Sequence, residues 1–250
     1  MKTLAALLGL LICMAALSHH LTHAAGETPA LPQDLEIELA LSALPPHLRD
    51  KATVYVLGKT QTLEIARDGS NGFHAFVSRL DPNAFNGDWR YTEYRDDILL
   101  PIAFDDAGSR AHMPVYFDMA EMRASGTPAE ELKAIVVKRW ETGYYKAPER
   151  AGISYMLAPM FRTYRNPDVE VNKVGTTNAP HYMFYAPGVS NEDIGGKVMS
   201  EHPFMLNERP SPHGYMIQFV GQAEKGAINE EYAGMLARLC ELREIYCLDR

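Results

Sequence analysis

Pro180-His181 and Pro212-His213 each set an imidazole at the start of an apolar run. Such a position lets a side chain project from a rigid sheet edge into the space at its end. Imidazole titrates near neutral pH, so two of them at one sheet end could divide acid and base roles or share a metal ion. That arrangement requires neighbouring parallel strands, because antiparallel strands would hold the two histidines apart. The competing reading for each is a histidine anchored to a backbone carbonyl. Tyr155, Tyr182, Tyr185 and Tyr215, with Met156 and Phe184, add rings and hydroxyls that suit a mixed apolar and polar ligand site near these histidines. Core packing is the alternative for the same residues. A histidine general base oriented by Glu208 or Asp193 would instead make a hydrolase or lyase, although nothing in the spacing demands it.

Other chemistries find less in the chain. The histidines at 47, 74, 112, 181, 202 and 213 show no HxH, HExxH or HxxxH spacing, so no local metal site is expected, and no cofactor motif is present. Asp96-Asp97 and Asp105-Asp106 are loop acids without EF-hand spacing, a poor basis for calcium. No GxSxG elbow exists, and Pro212 precedes His213 where an elbow needs a free amide. Gly69-Ser70-Asn71-Gly72 offers amides that could cradle an anion, yet a turn explains it fully, and Gly195-Gly196 reads as a helix stop.

The elements that must position these residues follow from periodicity. Asp34 is placed to cap a helix with Leu35, Leu39 and Ala43 on one stripe, ended by Pro45-Pro46. Thr53 to Leu57, Thr62 to Ala66 and Phe73 to Arg79 read as an antiparallel meander. Residues 81–105 are polar, aromatic and turn-rich and read as a long surface excursion, with Trp89, Tyr91 and Tyr94 as anchors for an envelope protein partner. Pro114 to Gly126 and Thr127 to about Glu141 form a helical hairpin. The apolar runs Ile153 to Pro159, His181 to Pro187 and His213 to Val220 read as strands covered on both faces, and Asn229 as the cap of a carboxy-terminal helix.

Lys2 followed by the apolar run from Leu4 to Leu17 reads as a secretory signal spanning residues 1–25, cleaved somewhere between 18 and 25. Residues 26–250 then form one soluble domain, periplasmic or secreted, with no stable membrane insertion once the signal is removed. The chain of 250 residues carries a net charge of −8, which becomes about −9 when Lys2 leaves, and an acidic surface disfavours nucleic acid as a partner. Loss of Cys13 leaves Cys240 and Cys247, an even pair in an oxidising compartment. Seven residues of continuous helix would separate them by about 10.5 Å, beyond the roughly 7 Å a bridge spans, so a disulfide requires the helix to stop near Arg243.

The blocks Gly69-Ser70-Asn71-Gly72-Phe73, Gly152-Ile153-Ser154-Tyr155-Met156-Leu157, Pro180-His181-Tyr182-Met183-Phe184-Tyr185 and Pro212-His213-Gly214-Tyr215-Met216-Ile217 together resemble an uncharacterised family of exported bacterial proteins. The resemblance implies a periplasmic or secreted location and brings no activity, cofactor or catalytic residue. The family pattern often has a cysteine shortly after the Asn-Gly turn, where this chain has His74 and Ala75, so no thiol role carries over. The expected fold is a single α+β domain: a mainly antiparallel sheet, with the helical hairpin and a carboxy-terminal helix packed on it. The expected function is that of an exported small-molecule-binding or accessory envelope protein with its site near His181 and His213.

Overall fold

Successive apolar residues along central strands such as β4 give them two apolar faces, and the chain supplies helices for both. The computed structural model describes residues 28–81, 93–164, 173–206 and 210–248. The expected signal at 1–25, Trp89, Tyr91 and Glu208 lie outside the described residues.

Helix α1 (Gln33–Ser42) buries Leu35 and Leu39, and Ala43 just after it, as their four-residue spacing dictates. Pro32 occupies its N-cap in place of the expected Asp34, whose carboxylate pairs with Arg238 instead. After the single turn α2 (Pro46–Arg49), β1 (Thr53–Leu57) and β2 (Leu63–Arg67) form an antiparallel hairpin. The expected meander ends there. β3 (His74–Ser78) joins the other side of β1 and runs parallel to it. The segment 68–73 carries the chain back past the start of β1, where the amides of Ser70 and Asn71 donate to the Lys51 carbonyl and Thr53 donates to Phe73. A Cβ on Gly69 would lie 2.2 Å from the Thr53 nitrogen, so this close pass needs a glycine. It also explains the Gly-Ser-Asn-Gly run without an anion.

β4 (Leu100–Phe104) is the larger surprise, because it lies inside the stretch expected to be a surface excursion and is buried along its whole length. Pro101 hides it in the sequence, since proline cannot donate to a sheet ladder. The structure accommodates the proline because β4 pairs along its length with β3 but meets β5 only at Ala103 and Phe104. Asp105 then caps α3 (Asp106–Ala111), accepting from the Gly108 amide at 2.8 Å, and α4 (Met113–Ala124) and α5 (Ala129–Glu141) form the helical hairpin.

The second half adds β5 (Ile153–Met156), a small hairpin of β6 (Phe161–Tyr164) with β7 (Val174–Thr177), β8 (His181–Tyr185), the capped turn α6 (Asn191–Ile194), β9 (Phe204–Met205) and β10 (Tyr215–Phe219). Helices α7 (Gln222–Glu231) and α8 (Ala233–Leu242) follow, with a 3-10 turn at Glu244–Tyr246. Asn229 lies within α7 and accepts from Asn178 at 2.7 Å; the chain breaks at Tyr232 before α8, so Asn229 caps nothing.

The main sheet has the order β2-β1-β3-β4-β5-β8-β10-β9, and β1 with β3 is its parallel pair. Leu39, Val54, Ala75, Val77, Ala103 and Met235 belong to one apolar layer, under α1, α7 and α8. Phe76, Ile102, Phe104, Val115, Leu132 and Ile217 belong to the other, under α3, α4 and α5. The result is a single α+β domain with a mostly antiparallel sheet covered on both faces. No helix among the described residues is long and apolar enough to cross a membrane.

Candidate functional site

Strand register decides the histidine question. β8 and β10 are antiparallel, with Tyr185 opposite Tyr215 and His181 opposite Phe219. His213 precedes Tyr215, so it lies at the far end of the strands from His181, about 20 Å away at the usual rise per residue. The two imidazoles share no cleft. His181 is buried between Phe161 and Phe219, and its Nδ1 donates to the Ala179 carbonyl at 2.7 Å. Burial lowers its pKa, and that carbonyl bond opposes the shift.

The four tyrosines separate as well, because alternate residues of a strand face opposite sides. Tyr155 and Tyr182 meet on the α7 side with ring centroids 5.9 Å apart, and the Tyr182 hydroxyl donates to Glu224 at 2.6 Å. Tyr185 and Tyr215 meet on the α4 side at 5.8 Å. No single pocket takes all four.

What His213 does meet is His112, which sequence spacing did not single out. His112 stands at the α3–α4 junction with no exposed surface, its ring 4.7 Å from Tyr185, 4.5 Å from Tyr215 and 5.7 Å from His213. His213 packs edge-on against Trp140 at 4.0 Å and is held by the Tyr145 backbone. Burial pushes His213 down to about 4, and burial reinforced by His213 pushes His112 down to about 3, so both are neutral.

Beside them, Asp105 Oδ1 accepts from Gly108 at 2.8 Å and lies 3.0 Å from the Tyr185 hydroxyl, while Oδ2 accepts from the Ile153 amide at 3.3 Å. The Tyr185 hydroxyl also lies 2.9 Å from the Ile153 carbonyl and accepts from Ser154 at 3.1 Å. Each member is satisfied, so this enclosed network fixes α3 to β5 and β8. Asp105 therefore serves as the cap of α3. Among the described residues no group of three or more His, Cys, Asp or Glu side chains is placed to hold a metal ion. Asp193 closes the capping box of Ser190 and orients neither histidine.

A concave surface among the described residues lies elsewhere. A cleft of about 1020 Å³ runs between the β6–β7 hairpin and the end of α8 with its 3-10 turn. Helix α8 ends at Leu242, Arg243 turns extended, and Cys247 returns to within 4.5 Å of Cys240, Cα to Cα, joining it in a disulfide that lines the cleft. Arg162 of β6 forms the floor. Its Nη2 and Nε donate to Asp97 Oδ2 at 2.6 and 3.1 Å, and its Nη1 donates to the Ile245 carbonyl at 3.1 Å, which also accepts from Thr176 at 2.6 Å. Arg95 grips the same Asp97 carboxylate at 2.8 and 3.0 Å. Burial would raise Asp97, but the two guanidiniums prevail and hold it below the usual carboxylate range. Val174, Leu236 and Leu248 give the cleft an apolar wall, and Lys173 and Glu244 give it charged groups.

Of the proposed surface anchors, Tyr94 is half-buried, donates to the Thr127 carbonyl at 2.7 Å and lies under the Arg123 guanidinium. No family model matches the chain, and no curated protein or solved structure matches it either.

Proposed function

We propose that this is an exported protein that binds a small molecule in the cleft beside the Cys240–Cys247 disulfide. The observation that carries the reading is the cleft itself: about 1020 Å³, of ligand size, with an apolar wall, charged Lys173 and Glu244, and a floor held by Arg162. Those features favour a molecule with an apolar body and a polar end. Export is supported by the charged-then-apolar amino terminus and by a disulfide in a chain of ordinary globular composition. The site moves away from His181 and His213, whose rings are enclosed on opposite ends of the sheet.

Native mass spectrometry of untagged protein from the periplasm tests this, alongside a thermal-shift panel of small amphipathic molecules. The expected result is a co-purified mass, or a panel compound, retained by the wild type and lost in Ala237→Trp, which fills the cleft from its α8 wall. An apo mass with no panel compound raising the melting midpoint, or binding untouched by Ala237→Trp, would overturn the assignment.

A further inference from the structure

We infer that the compartment between the β1–β2 hairpin, the end of β3 and α4 is a binding site for a single halide ion, held by Arg79. Arg79 follows β3 and is only 6% exposed. Its Nη2 lies 3.0 Å from Glu36 Oε2 of α1, itself 1% exposed. The Nε and Nη1 of Arg79 are also shut off from solvent and meet no acceptor among the described residues. Arg79 and Arg123 both line a cavity of about 20 Å³.

The chemistry of the lining selects the occupant. Polar neighbours with acceptor atoms are already engaged: Ser78 Oγ accepts from Leu80 at 3.2 Å and donates to its carbonyl at 2.6 Å, and Gln61 Oε1 accepts from Thr28 at 2.8 Å. Glu36 Oε1 accepts from the Leu57 amide at 3.0 Å. The rest of the wall is Leu57, Leu63, Leu80 and Ala120, with Thr28 and Tyr116 as its further polar residues. A water molecule placed here would accept from Arg79 but would find few acceptors for its own protons. A monatomic anion accepts from every donor and donates nothing, and its charge offsets a guanidinium held in a low-dielectric interior. The volume suits an object the size of one water or one chloride, and it excludes phosphate or a carboxylic acid.

Bromide tests the site directly. Crystals of wild-type protein grown in sodium bromide should show an anomalous peak within hydrogen-bond reach of Arg79 Nε or Nη1; ordered water there with no anomalous signal would overturn the proposal. In solution, melting in sodium chloride is compared with melting in sodium gluconate at equal ionic strength. Chloride at ten times its Kd should raise the wild-type midpoint by about 3 to 6 °C. Arg79→Met alone strands the Glu36 carboxylate, so the control is the double variant Glu36→Gln with Arg79→Met, which removes both charges of the pair together. The chloride-specific rise should vanish in it, and a rise that survives there would overturn the assignment to Arg79.

Discussion

A Cβ on Gly108 would lie 1.8 Å from the Tyr185 hydroxyl, and one on Gly152 would lie 2.4 Å from Asp105 Oδ2. These two glycines are what let the Asp105–Tyr185 contact close. Gly108→Ala should therefore cost about 2–4 kcal/mol in urea unfolding, more than an ordinary helical substitution, because it also breaks the cap. Individual side chains also set the acid limb of stability. In the unfolded chain His112 and His213 titrate near 6.5, whereas burial holds them at about 3 and about 4 in the fold. Below pH 6.5 the unfolded state takes up protons that the folded state refuses, so stability falls as pH falls toward about 4. By pH 5 each histidine should contribute a loss of about 2 kcal/mol, and urea titrations of His112→Phe should show a shallower decline between pH 6.5 and 4. Neither effect is legible in the sequence, where His112 and His213 stand 101 residues apart and Gly152 reads as a loop residue.

At the scale of elements, the carboxy-terminal turn is held twice, by the disulfide to α8 and by the Ile245 carbonyl to Arg162 and Thr176. Replacing both cysteines with serine should lower stability by about 2 kcal/mol, as expected for a short closed loop, with the effect measured by denaturant unfolding under oxidising conditions. Asp97→Ala should cost more, about 3–5 kcal/mol, since it leaves Arg162 buried without its carboxylate. Helices α1, α4, α5 and α8 were legible from apolar residues at helical spacing, as Leu35, Leu39 and Ala43 show, whereas α2, α3 and α7 were not expected. β4 was not, because Pro101 argues against a central strand unless one knows that β5 reaches only Ala103 and Phe104. The pairing of β1 with β3 was equally hidden, since local turn chemistry specifies that the chain reverses but not which side of β1 it rejoins.

Across the whole molecule, one sheet divides two apolar layers, and each layer depends on side chains from distant segments. Leu39→Ala, at a position with no exposed surface, should cost about 2–5 kcal/mol in the same urea assay. The sequence by itself determined the two-faced character of the later strands, the apolar stripes of the main helices and the acidic charge, all of which follow from residue type and local period. Only the tertiary structure decided that β8 and β10 run antiparallel, which parts His181 from His213 and joins His213 to His112. It likewise placed Tyr155 and Tyr182 on one face and Tyr185 and Tyr215 on the other, and it brought β6, β7 and the end of α8 together as a cleft. The reason is physical: hydrophobic period records how deeply a segment is buried and on which face, whereas the direction and order of strands are set by packing between segments far apart in the chain.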